Sequence, residues 1–448
     1  MISAEMCQML KTVNLVALIL VASFCAEAVC QQMATDRVIA NYQALASRSN
    51  MSADYDRLGA AYLQKGRETA DFSYYELAEK ALTKSLELAG VMDMSAAEPL
   101  THLSAVYMGE HRFSEAADYA ERALTLGSGD LPAFGLLGDA YSDMGDYDRA
   151  AQCYEKLLLR LPSQEPSRGL SYMHDSRVSY LEFLHGNNTA AVELARQAAG
   201  RAIEMHMPAE NVAWTYFQLG EYLFQAGDIS GADNVYQQAL NVLPGYYRGL
   251  SGLAKVRVAQ ERYPEAIDLY KKAINEIPIP EYIAALGDIY AKLGRLEQAQ
   301  KQYDLVEYIG YLTNLNKHAY NRELALFYAD RGNKLSESLE LAQRELEVRR
   351  DVYTQDVLAW SLYKNGRLKE AGAAMDRALS IGTKDAMFYY HAGLIHRDLG
   401  DVEGARKYLG RALAINPRFH IFYADAARKA LEEMSSKPVT ARLGANSR

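Results

Sequence analysis

From residue 52 onward, apolar side chains recur at i, i+3, i+4 and i+7, the spacing that gathers them on one face of a helix. Tyr216, Leu219, Gly220 and Leu223 make one such stripe, and Phe134, Leu137, Gly138 and Tyr141 make another. A short break containing Gly and Asp follows each: Ala226-Gly227-Asp228 and Met144-Gly145-Asp146. A second stripe then opens on Ala, as in Ala232-x3-Tyr236-x2-Ala239 and Ala150-x3-Tyr154-x2-Leu157. Pro244 and Pro162 close these second stripes, because proline cannot continue a helix. The pattern predicts helix pairs, and the pairs recur about every 34 residues.

Repeat starts fall at residues 52, 97, 131, 172, 213, 247, 280, 318, 352 and 386. The fourth and eighth are degenerate: the fourth lacks the mid-helix Gly and the closing Pro, and the eighth carries Ala325 in the Gly position. An insertion around Thr69 to Tyr74 is expected to lengthen the turn of the first pair. Gly59, Gly138, Gly220, Gly287 and Gly393 lie mid-helix, where glycine costs about 1 kcal/mol relative to alanine. Their recurrence predicts that the second helix of each pair presses against that point.

A large residue, Leu, Gly and Tyr followed by Ala, an aromatic, Ala and Pro at fixed offsets resembles the tetratricopeptide repeat (TPR) family. The resemblance implies an all-α fold, a right-handed α-solenoid of about ten stacked helix-turn-helix units. One pair cannot bury both apolar faces, so neighbours must stack. The array and a C-terminal capping helix over Phe419 to Met434 are expected to occupy residues 52–434, after a helical lead-in at 29–51 and before a disordered tail at 435–448.

The N-terminus reads differently. Val13 to Phe24 is an apolar run of about a dozen residues, shorter than the ~20 that span a bilayer. Ala26-Glu27-Ala28 supplies a small-x-small cleavage pattern, so residues 1–28 read as a signal peptide and the chain as exported, to a periplasm or beyond the cell. A signal peptide followed by TPRs resembles secreted bacterial TPR proteins. Beyond the signal, no stretch is apolar and long enough for a transmembrane helix. Cys30 and Cys153 remain after cleavage and form no disulfide framework.

Composition narrows the function classes. Lys and Arg number 48 against 57 Asp and Glu, a formal charge of −9, which argues against a nucleic-acid partner because such proteins need a basic face. The sequence holds no phosphate-binding glycine loop, HExxH, paired CxxC or GxSxG, so no catalytic residue, metal ligand or cofactor site is assigned and the protein reads as a non-enzyme. His391 and His396, five apart, point in different directions around a helix.

The TPR resemblance implies a concave groove lined by repeat positions 2, 5, 9, 12 and 13. There the fourth and fifth repeats place Tyr180, Phe183, Trp214, Phe217 and Phe224, and the ninth and tenth place Tyr353, Trp360, Tyr363, Tyr390 and Arg397. Between them the groove is charged, with Arg248, Lys255, Asp288, Lys292 and Arg322. Aromatics and arginine dominate binding hot spots, so a protein or peptide held at two aromatic patches is the expected partner. A second reading is an accessory subunit of an envelope polysaccharide-synthesis or secretion machine. Of the chain's 32 tyrosines, those at Tyr154, Tyr236, Tyr270 and Tyr303 share one packing position in the second helix.

Overall fold

The computed structural model describes residues 35–90, 93–127, 131–159, 168–315 and 321–436. All regular structure among them is helical. A lead-in helix α1 (35–49) precedes the pairs α2 (Ser52–Thr69) with α3 (Ser73–Ala89), α4 (Ala97–Gly109) with α5 (Phe113–Leu126), and α6 (Leu131–Asp143) with α7 (Tyr147–Leu159). Next come α8 (Arg168–Leu184) with α9 (Asn188–Glu204), α10 (Ala209–Gln225) with α11 (Ile229–Val242), and α12 (Tyr247–Ala259) with α13 (Tyr263–Glu276). The last four pairs are α14 (Pro280–Lys292) with α15 (Leu296–Leu315), α16 (Asn321–Arg331) with α17 (Leu335–Val348), α18 (Val352–Lys364) with α19 (Leu368–Ala378), and α20 (Ala386–Asp398) with α21 (Val402–Ile415). The capping helix α22 (Tyr423–Ser436) ends the array. Each helix packs on its pair-mate and on the next pair, so the molecule is an α-solenoid with its core spread along it.

The sequence periodicity locates most of these helices at their first residue. The exceptions have physical reasons. Helices α8 and α10 gain about one extra turn at the N-terminus, and the eighth start, at residue 318, lies outside the described residues. In the first repeat the insertion does not loosen the turn. It lengthens α2 and α3, and Ala70 closes α2 in the left-handed region. The capping helix starts at Tyr423 because Asn416 to Phe422 form a bent connector after Pro417. The signal peptide, Pro162 and most of the tail lie outside the described residues.

The recurrent mid-helix glycines are explained by what would displace a side chain there. A Cβ at Gly138, Gly220 or Gly287 would fall within 3.0 Å of the ring of Tyr154, Tyr236 or Tyr303 from the following helix. At Gly59 and Gly393 the obstructing group is Leu82 or Leu409. Ala78, Ala150, Ala232 and Ala405, one turn before Leu82, Tyr154, Tyr236 and Leu409, are fully buried, which allows the helices this approach.

The solenoid coils back on itself. The turns inside the third, fourth and fifth repeats meet the connections that follow the eighth, ninth and tenth. Arg350 N donates to Asp143 O at 3.0 Å, Thr383 Oγ1 to Leu184 O at 2.5 Å, and Asn416 Nδ2 to Phe224 O at 2.8 Å. Further along, Arg418 donates to Ala259 O and Lys292 pairs with Asp425 at 3.0 Å. At this seam Gly145, Gly186 and Gly227 have φ of +78°, +75° and +84°, and the space a Cβ would need is taken by the carbonyls of Arg350, Gly382 and Ile415. Gly366 has a similar φ of +75° but open space around it. Gly366→Ala should therefore cost only the left-handed backbone strain, about 1–2 kcal/mol. Gly227→Ala should cost clearly more and lower the thermal midpoint further, as measured by circular dichroism. Equal losses would mean that the seam contributes nothing to stability.

Candidate functional site: the inner face and its central cavity

The first helix of each repeat lines the inner face, and there a three-part contact recurs. The residue after the mid-helix glycine is Asp139, Glu221 or Asp288 in three repeats. Each carboxylate accepts from the tyrosine lying across that glycine: Tyr154 at 3.0 Å, Tyr236 at 2.6 Å and Tyr303 at 2.9 Å. Each also binds a cation from the next repeat: Arg177 in a two-pronged pair at 2.9 Å, Lys255 at 2.7 Å and Arg331 at 2.7 Å. Where the second-helix residue is leucine, the residue after the glycine is apolar, Ala60 or Leu394. The groove charges Lys255 and Asp288 thus stitch repeats together, and so do Arg322, paired with Asp351 at 3.1 Å, and Lys292 at the seam.

The coiling closes the groove into an interior. Phe183, Phe224, Trp360 and Tyr390 are buried, whereas Tyr180, Trp214, Phe217, Tyr353, Tyr363 and Arg397 keep partial exposure. The two aromatic patches do not stand apart as the groove positions suggested. Tyr353 of α18 packs in the same cluster as Tyr180, Phe183 and Phe224, because the ninth repeat returns against the fourth and fifth. Trp360 stacks on His391 at 4.1 Å and on Tyr363 at 5.0 Å, and its Nε1 donates to Asp330 at 2.8 Å. Arg397 contacts the Tyr363 hydroxyl, which itself donates to Asp398 at 2.7 Å.

Inside this coil lies a cavity of about 420 Å³, walled by the first helices of the fifth to tenth repeats and closed by residues 418–421. Phe224, Tyr270, Phe327, Tyr353 and Phe388 give it aromatic surface, and Glu281, Asp288, Glu323, Asp330, Asp356 and Asp385 give it carboxylates. The smaller recess beside it, about 100 Å³, holds Phe217, Arg248 and Glu221.

Family models described as tetratricopeptide repeat match residues 107–170, 217–280, 280–309 and 357–418. The chain is a TPR protein. Cellulose synthase operon protein C of Xanthomonas axonopodis pv. citri is 25% identical over 228 residues, 49% of this chain and 15% of that protein. A TPR repeat-containing protein of Methanocaldococcus jannaschii is 23% identical over 324 residues, 68% of this chain and 50% of the relative. The chain thus spans half or less of the length of these curated relatives. The crystal structure of yeast Tom70 is similar over 92% of this chain and 98% of its own, at 13% identity and a TM-score of 0.40. TPR arrays are scaffolds for protein–protein interaction, and this chain has their architecture.

Two histidine pairs of this TPR array escaped the sequence reading, since each joins neighbouring repeats. His391 Nδ1 lies 2.9 Å from Asp356, and His102 Nδ1 lies 2.8 Å from Asp56. With Glu98, the second pair makes the one group among the described residues whose ligand atoms lie within 4.8 Å of each other, the spacing a metal ion would need. His420, in the connector before α22, completes the cavity wall and stacks on Tyr423 at 4.2 Å.

Burial sets the charge of the wall. It raises Asp288 to about 6 even though Arg331 opposes the shift, and together with the nearby Asp356 it raises Asp385 to about 6. It lowers His420 to about 4, keeping that ring neutral at pH 7. The folded chain therefore holds the Asp385 proton up to about pH 6, whereas the unfolded chain releases it near the ordinary carboxylate value. Between those values folding takes up a proton, so the contribution of Asp385 to stability declines as pH rises through 6. Its Oδ1 caps α20 by accepting from Met387 N at 2.7 Å, and asparagine caps a helix equally well. Asp385→Asn should raise stability at pH 7.5 by about 1–3 kcal/mol, with the gain vanishing by pH 4. Calorimetric melting at both pH values checks this, and destabilisation at pH 7.5 would contradict it.

Proposed function

We propose that the protein is an exported, non-enzymatic scaffold that holds a protein or peptide partner on the inner face of its TPR array. The observation that carries this reading is the set of aromatic and arginine side chains on that face that stay partly exposed although the solenoid coils back. Trp214 and Phe217 lie in one region and Tyr363 and Arg397 in another, each beside charged side chains that could fix the register of a bound chain. The signal-like N-terminus supports export to the periplasm or beyond. A second reading, an accessory subunit of an envelope polysaccharide-synthesis machine, draws on the similarity to cellulose synthase operon protein C.

A photo-crosslinking amino acid placed at Trp214 or Tyr363, in the native host, should capture one defined partner. The same group at Lys272 on the exposed face of α13 should capture none. Capture of a polysaccharide synthase component would favour the second reading, and indiscriminate capture from both faces would refute the groove. N-terminal sequencing of the purified protein should begin at Val29, whereas an intact Met1 would refute cleavage.

A further inference from the structure

Packing leaves two groups in the wall of the central cavity unsatisfied, Arg331 Nε and His391 Nε2. His391 is fully buried and lines the cavity, yet its Nε2 has no hydrogen-bond partner. A carboxylate only accepts, so the contact with Asp356 places a proton on Nδ1, and in the neutral ring Nε2 is then an acceptor. An orphaned acceptor of this kind costs about 1–3 kcal/mol and calls for a donor. Asp385 lines the same cavity, stands close enough to Asp356 to feel its charge, and caps α20 through Met387 N.

The wall carries an excess of negative charge. Its carboxylates outnumber its cations by six to four, and every cation already has a carboxylate partner. Lys255 is held by Glu221, Arg322 by Asp351 and Glu323, and Arg418 by Ala259 O and Glu261. Arg331 is bonded to Asp288 and clamped at 4.1 Å from the rings of both Tyr303 and Phe327. The remaining surface is aromatic, which attracts cations over its ring faces. An excess of carboxylates over cations and an aromatic wall together favour a ligand that brings both hydrogen-bond donors and positive charge. A neutral polyol would also need donors from the protein to satisfy its oxygens.

We propose that the central cavity is a binding site for a small organic ammonium ion, seated on the aromatic wall with its N–H groups directed to Asp385 and His391 Nε2. At about 420 Å³ the space is of the size that takes small ligands. The site is separate from the partly exposed aromatics assigned to a protein partner, so its fate does not depend on theirs.

Isothermal titration calorimetry on the purified chain tests this with putrescine, spermidine and ethanolamine as probes, against glucose and glutamate. At least one amine should saturate with a Kd below about 1 mM, and glucose and glutamate should not bind. Asp385→Asn, which keeps the helix cap, should weaken amine binding at least tenfold. Glu281→Gln, a second wall carboxylate, should weaken it less. Thermal melts of each variant establish that it is folded before titration. Absence of saturation by all three amines would overturn the proposal. So would equal binding of glucose, or unchanged amine affinity in folded Asp385→Asn.

Discussion

The approach of a tyrosine ring to a glycine in the neighbouring helix is the contact from which the rest of the inner face follows. Without a Cβ at Gly138, Gly220 or Gly287, the ring of Tyr154, Tyr236 or Tyr303 lies across the first helix, and its hydroxyl reaches the carboxylate one residue further on. That carboxylate is then oriented to take a cation from the next repeat. A buried charge tolerates its site only when its partners are held in good geometry, and the ring supplies that geometry. Packing inside one repeat and electrostatic linkage to the next are thus one arrangement. An alanine in place of the glycine would disturb both.

Stacking repeats in this way sets a coil tight enough to return on itself. The seam then depends on a second use of glycine, at turns where the backbone is left-handed and where a carbonyl of the returning coil occupies the space beside it. The seam converts what would be an open trough into an interior, and it draws the ninth repeat against the fourth and fifth. The consequence for chemistry is large. Carboxylates that would be solvated on an open groove face, Asp288 and Asp385 among them, are desolvated and rise to about 6, while His420 falls to about 4.

Much of this architecture was legible in the chain. The 3.6-residue stripes, the turn glycines and the prolines after Val242 and Glu276 locate the helices, because those signals are local and repeat. Even the tyrosine–carboxylate link leaves a trace: where the mid-helix glycine faces Tyr154, Tyr236 or Tyr303 an acid follows it, and where it faces Leu82 or Leu409 an apolar residue does. Of the cations that complete the link, only Lys255 was legible, as a groove charge, while Arg177 and Arg331 were not. The first helices of the fourth and fifth repeats begin a turn earlier than the local signals place them, at Arg168 and Ala209, because packing extends them.

The candidate site divides along the same line. Residue type and spacing alone determined that Trp214, Trp360, Tyr363 and Arg397 lie on inner-facing positions, because a helix turns each residue by a constant angle. Which of them stay accessible was decided by the tertiary structure. Trp360 and Tyr390 are buried through contacts with α22 and its connector, and Phe183 through Tyr222 of the next repeat. The pairing of His391 with Asp356, the seam, and the cavity between the fifth and tenth repeats likewise depend on the small rotation between successive repeats. That angle accumulates from many packing contacts and is written at no single position, so helical periodicity specifies each unit while the stacked whole specifies what the units enclose.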